Sequence, residues 1–185
     1  MEIKMEIINH PHFFQWLTLS VTLLVLTYAA FKIKNEPDQY DKTSIKRQLG
    51  RFCLKVPSWW GTTLENESKL QFERTDTRYE WAITFEIFKD KITSPEEHLQ
   101  NLVTELGIKF DLGFDPEKFE MNNISVYRHE GMSTENGIKR VYMDIAIATL
   151  KNSDDYMEVI SRSSILNGCV EGPYVEKVLQ NLEQI

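Results

Sequence analysis

The run from Phe13 to Phe31, FFQWLTLSVTLLVLTYAAF, holds 19 residues without a charge. A helix of that length spans about 28 Å, against roughly 30 Å of bilayer hydrocarbon. Its apolar residues occupy every side of such a helix rather than one stripe, which suits lipid better than a protein core. Trp16 and Tyr28 stand towards its two ends, where interfacial belts form, and Lys32 and Lys34 can extend to headgroups. A cleaved signal peptide would carry a shorter apolar core, followed by a small-x-small site that Ala29-Ala30-Phe31 does not supply. Residues 32–50 are polar and aperiodic, and Pro37 opposes a helix interior. The pattern thus predicts an N-terminal tail over 1–12, an uncleaved transmembrane helix over 13–31, a tether over 32–50 and an α+β soluble domain over 51–185.

Within the domain the hydrophobic period changes several times. Phe52, Leu54 and Val56 alternate with Arg51, Cys53 and Lys55, the signature of a strand that Pro57 ends. Leu70 and Phe72 mark a short second strand, and over 79–88 Trp81, Ile83, Phe85 and Ile87 share one face. Ser94-Pro95-Glu96-Glu97 then opens a helix, with Ser94 as cap, Pro95 in the first turn and Glu97 as capping-box partner. Leu99, Leu102, Val103 and Leu106 follow at helical spacing, and Gly107 supplies the stop.

Three strand-like runs come next, over 123–133, 138–150 and 156–165. Asn136-Gly137 joins the first two as a hairpin, and the 152–155 turn joins the second and third. Gly172-Pro173 opens a terminal helix in which Tyr174, Val175, Val178, Leu179 and Leu182 form a stripe. Strands gathered on one antiparallel β-sheet and flanked by two helices make an α+β sandwich.

Composition narrows the function classes. Net charge is −7, and the first 31 residues contribute a single negative charge of it. The domain is therefore acidic, which argues against nucleic acid as a partner and favours a protein with a basic surface. Two cysteines are too few for a disulfide scaffold or a four-thiolate zinc site.

Candidate chemistry is sparse. His10 and His12 flank the membrane segment, His98 lies on a charged first helical turn and reads as solvated, and His129 sits in an alternating run without a nucleophile motif. The Asp111–Asp115 run and Asp154-Asp155 lack calcium-loop spacing and read as turns. There is no P-loop, dinucleotide fingerprint, HExxH or CxxC, so the expectation is no catalytic residue, no metal and no cofactor. Outside the cytoplasm, Cys53 and Cys169 could form a disulfide worth about 2–4 kcal/mol; the alternative is two unrelated thiols. Trp59-Trp60 beside Pro57 is either a partner contact or a pair of rings folded over the sheet end. Asn66-Glu67-Ser68 and Asn123-Ile124-Ser125 match glycosylation tripeptides, which carry meaning only in a eukaryotic secretory context.

The opening Gly50-Arg51-Phe52-Cys53-Leu54-Lys55-Val56-Pro57-Ser58-Trp59-Trp60 resembles two related groups. One is the Mog1/PsbP-like fold, in which the first strand runs into a proline and a tryptophan. The order of strands, capped helix, meander and terminal helix is similar to that fold along nearly all of 50–185. The other is the immunity proteins paired with type VI secretion phospholipase effectors, which Gly50, Arg51, Phe52, Leu54, Val56 and Pro57 resemble in pattern. This chain departs from them in carrying Cys53 inside the strand and a helical anchor. The resemblance implies a membrane-anchored protein that neutralises a protein toxin by occluding its active site. The alternative is a structural or accessory subunit of a bacterial envelope complex. It also implies a single pass through the bacterial inner membrane with the domain facing the periplasm. The basic residues after residue 31 point the other way under the positive-inside rule.

Overall fold

A computed structural model describes residues 12–74, 80–111, 115–121 and 123–185, with the backbone alone over 31–39. The chain divides into two compact units at the Thr43–Ser44 bond. The first contains helix α1, Phe13–Thr43. Its segment Phe13–Ala30 is long and apolar enough to cross a membrane, and none of that segment is buried by protein. Three threonine hydroxyls along it donate back to carbonyls one turn earlier: Thr18 to Phe14, Thr22 to Thr18 and Thr27 to Leu23, at 2.8–2.9 Å. Each of these hydroxyls is thus satisfied inside the helix, as a hydrocarbon surrounding demands.

The helix continues through Pro37 to Thr43, where the sequence pattern places an aperiodic tether. A proline removes one hydrogen bond from a helix already nucleated over many turns, and propagation beyond it needs only one bond per residue. The remainder of that segment is strand β1, Ile45–Leu49, which belongs to the second unit.

β1 turns into β2, Phe52–Val56, through Gly50 and Arg51, and β2 also pairs with β11, Glu183–Gln184. The larger sheet is antiparallel throughout. Its strands are β3 (Trp60–Glu65), β4 (Lys69–Arg74), β5 (Trp81–Phe88), β6 (Ile108–Phe110), β7 (Glu117–Met121), β8 (Ile124–Glu135), β9 (Lys139–Leu150) and β10 (Tyr156–Ser163). Among the described residues their order is β3-β4-β5-β10-β9-β8-β6, with β7 on the other half of β8. Asn136 and Gly137 carry φ of +51° and +72°, the paired positive angles of a type I′ hairpin turn.

Helix α2, Pro95–Glu105, covers one face of this sheet. Ser94 caps it by accepting from the Glu97 N–H at 3.2 Å, a bond worth about 1 kcal/mol. Leu99 and its neighbours pack on Val141, Met143, Ile145 and Ile147 of β9. Helix α3, Ile165–Gln180, covers the opposite face together with the small sheet. It begins at Ser164 rather than at Gly172-Pro173, which lie inside it. The glycine-proline pair reads locally as a helix start, but the Ser164 side chain already caps an earlier turn, and buried Gly172 lets the helix approach the sheet.

Candidate functional site

Among the described residues, side chains of functional type converge in two places. The first lies at one end of the large sheet, where the 89–94 segment and the 151–155 turn leave two adjoining clefts. Their volumes are about 430 and 250 Å³, and they share Lys91, Ile92 and Tyr156. His98, expected to be solvated, instead places Nε2 2.7 Å from Glu158 Oε1, with its ring edge against Tyr156. Tyr156 in turn stacks on Phe88 at 5.1 Å between ring centroids. Asp154 and Asp155 do sit in a turn: the Asp155 N–H donates to Ser153 Oγ at 3.1 Å, and Asp155 faces Arg51 at 3.5 Å.

The second is a charged cluster between α3 and the sheet. Arg128 on β8 donates from Nε and Nη2 to the two oxygens of Asp144 on β9, at 2.9 and 2.7 Å. Nη2 also reaches Glu130 at 2.7 Å and the Gly172 carbonyl at 3.5 Å, and Nη1 lies 3.6 Å from Glu176. The Tyr142 hydroxyl donates to the same Glu130 oxygen at 2.8 Å. Arg128 and Asp144 are 2 % and 1 % exposed. Burial pushes the Asp144 carboxyl up to about 6 while Arg128 opposes the rise, so it is ionised at neutral pH. Burial and Glu130 hold the Tyr142 hydroxyl well above its usual value, so it remains a donor.

A short distance along α3, buried Glu171 accepts from Trp60 Nε1 at 2.9 Å and from Arg74. These groups bind a helix to a sheet; Arg128, Asp144 and Glu171 are closed to solvent, whereas Glu130, Glu176 and Arg74 keep an exposed edge. Sequence reasoning missed the Arg128 cluster, although one signal was present. Asp144 is the single charge between Val141 and Leu150, in an otherwise buried-type run, and a carboxylate there needs a partner.

The other expected sites fall apart in space. Trp60 is a core residue, tilted against Trp81 at 4.8 Å, which removes it as a partner contact; Trp59 is half-buried, its ring edge-on to Tyr174. Cys53 and Cys169 are free thiols rather than a disulfide. Cys53 alternates away from the buried Phe52, Leu54 and Val56, and Cys169 lies on the exposed side of α3 beside Val170. His129 stacks on Phe110 at 3.7 Å and lines a cavity of about 280 Å³ with Leu99, Val103 and Pro116. Thr104 also lines that cavity, its hydroxyl bonded to the Gln100 carbonyl. His12 pairs with Gln15 at 2.9 Å, while His10 lies outside the described residues. Asp111 pairs with Arg140 at 2.7 Å, and 112–114 lie outside the described residues. Among the described residues no three His, Cys, Asp or Glu are placed to hold a metal ion.

No protein-family model matches the chain, and no curated protein matches it in sequence. Solved structures do resemble it. The Ran-binding protein Mog1p of Saccharomyces cerevisiae superposes with a TM-score of 0.53 at 8 % identity, covering 77 % of this chain and 95 % of that one. Cyanobacterial PsbP from Synechocystis gives 0.55 at 9 % identity, over 77 % and 93 %. A Pseudomonas aeruginosa protein of unknown function gives 0.50 at 10 %, over 77 % and 98 %.

The chain has a Mog1/PsbP-like fold.

That fold accounts for the glycine, proline and apolar positions of the Gly50–Pro57 pattern. Gly50 has φ +55°, and a Cβ there would stand 2.6 Å from the Ile87 side chain. Phe52, Leu54 and Val56 are buried, Pro57 ends the strand, and Trp60 goes under α3. Gly50, Phe52, Leu54, Val56 and Pro57 are thus fixed by the packing of this sheet, while exposed Arg51 faces Asp155 at 3.5 Å.

Proposed function

We propose that this chain is a membrane-anchored binding protein whose Mog1/PsbP-like unit holds a basic protein partner. The finer reading is that the partner is a toxin arriving by type VI secretion and that occupation of its active site neutralises it. The observation that carries the proposal is the pairing, in one chain, of an uncovered apolar helix with an acidic unit whose buried charges are committed to packing. Mog1p is itself described as binding Ran, so a protein partner is compatible with this fold. Anchoring confines the unit to the membrane surface and raises its effective concentration against anything arriving there. Its negative charge speeds encounter with a basic protein, an advantage that falls as salt rises.

The anchor and its orientation are tested together. Membranes washed with alkaline carbonate retain the full chain, and an impermeant maleimide labels exposed Cys169 in spheroplasts before lysis. Labelling that requires lysis would place the unit in the cytoplasm and remove the periplasmic reading. The neutralising role is tested by co-expression with a toxin encoded beside this gene. Cells carrying the intact chain survive, and survival persists when residues 13–31 are exchanged for an unrelated span. If the exchange abolishes function, the span itself binds partners and the chain acts as an accessory subunit of an envelope complex.

A further inference from the structure

The joined clefts at the sheet end are lined by a tyrosine whose ring is buried and whose hydroxyl opens into them. Tyr156 is 7 % exposed, yet its hydroxyl makes no hydrogen bond among the described residues. A tyrosine buried that deeply normally has its hydroxyl bonded. This hydroxyl is not sealed off, because the residue lines both clefts. Its surroundings are electronegative: burial, then the charges of Glu158 and Asp90, raise its pKa, so it keeps its proton. Asp90, Glu97 and Asp154 line the clefts without an ion pair among the described residues. Against these three stands Lys91. The other cation, Lys151, is held by Glu120 at 3.0 Å. The start of α2 also borders the cleft, but the Ser94 cap and Glu96 already serve its positive end.

We propose that these clefts receive a lysine or arginine side chain of the protein partner, the Tyr156 hydroxyl and the Asp90, Glu97 and Asp154 carboxylates accepting its hydrogen bonds. The inference rests on the binding reading above and names the contact within it. Ile92 and Pro95, in the cleft walls, offer apolar surface to the stem of such a side chain.

The test titrates the full chain in nanodiscs with the tripeptide Gly-Arg-Gly and, separately, Gly-Glu-Gly. Expected are saturable amide shifts at Asn101, Asn152 and Tyr156 with the arginine peptide and none with the glutamate peptide. Tyr156→Phe should weaken that binding about three- to tenfold, and Asp154→Asn about tenfold or more. A flat titration, or equal responses to both peptides, overturns the proposal. In cells, a photocrosslinking side chain is placed either at Asn152 or at Leu64. An adduct at Asn152 that Asp154→Asn suppresses supports the cleft. An adduct confined to Leu64 overturns the cleft and leaves the binding reading standing. No adduct at either position removes both.

Discussion

Arg128→Met lowers the unfolding free energy by about 3–5 kcal/mol at pH 8, because it leaves a carboxylate buried without its counter-charge. Glu130 lies directly across from Asp144 in the β8–β9 register, so two acids face each other on adjacent strands. Arg128 sits diagonally between them and satisfies both. Without it, Asp144 accommodates its burial only by taking a proton. Its folded-state value, already about 6 against an ordinary 3.8, rises further in the variant. A carboxyl whose folded pKa is raised favours the folded state at low pH and loses that contribution as pH rises through the raised value. The deficit of the variant is therefore smaller at pH 5 than at pH 8. The double variant Arg128→Met with Asp144→Leu removes the stranded charge and recovers most of the loss. Urea denaturation of the full chain at both pH values, followed by tryptophan fluorescence, reads all three quantities. A deficit equal at both pH values and unrelieved in the double variant would show that the cluster is not acting through buried charge.

Gly168→Ala is expected to cost about 2–4 kcal/mol, although alanine is the better helix former by about 1 kcal/mol. The backbone of α3 at Gly168 rests directly on Tyr142, and an added Cβ would overlap its ring and its own Cβ. Because the Tyr142 Cβ is among the overlapping atoms, no rotation of the tyrosine relieves the contact. The helix must lift, and lifting it loosens the Glu171 bonds to Trp60 and Arg74 on the same helix. Gly172 is the internal control. A Cβ there would stand 3.3 Å from the Tyr142 hydroxyl, so Gly172→Ala costs about 1 kcal/mol or less. Equal midpoint shifts for the two alanine variants would mean that close helix approach at Gly168 is not what holds α3 down.

How much of this was legible beforehand differs by element. The strand at 52–56, the capped helix at 95–105 and the Asn136-Gly137 hairpin announced themselves through local signals that no distant contact overrides. The short strands β1, β3, β6 and β7 did not, since their side chains are mostly exposed and show no apolar alternation, and ladder bonds supply what the side chains do not. Pro37 and Gly172-Pro173 misled for a shared reason. Each is a breaker by local rule, and each lies within a helix extended from residues on its N-terminal side.

The candidate contact was less legible still. Trp59 and Trp60 looked equivalent side by side, but Trp59 lies in the turn after Pro57 and Trp60 opens β3, so Trp60 went into the core and Trp59 stayed half-exposed. His98, Glu158 and Tyr156 read separately as a surface histidine, a strand acid and an aromatic. Only the passage of α2 over the start of β10 brings them together.

What the chain determines by itself is the apolar helix at 13–30, the alternation that assigns each strand two faces, and the cap that starts α2. Those are properties of neighbours two to four residues apart. Tertiary structure alone decides that Asp144 meets Arg128, that Glu171 meets Trp60 across 111 positions, and that the 89–94 and 151–155 segments frame one opening. Periodicity states which way a side chain points, whereas strand register and the stacking of layers select what it meets there, and both are set by the whole core at once.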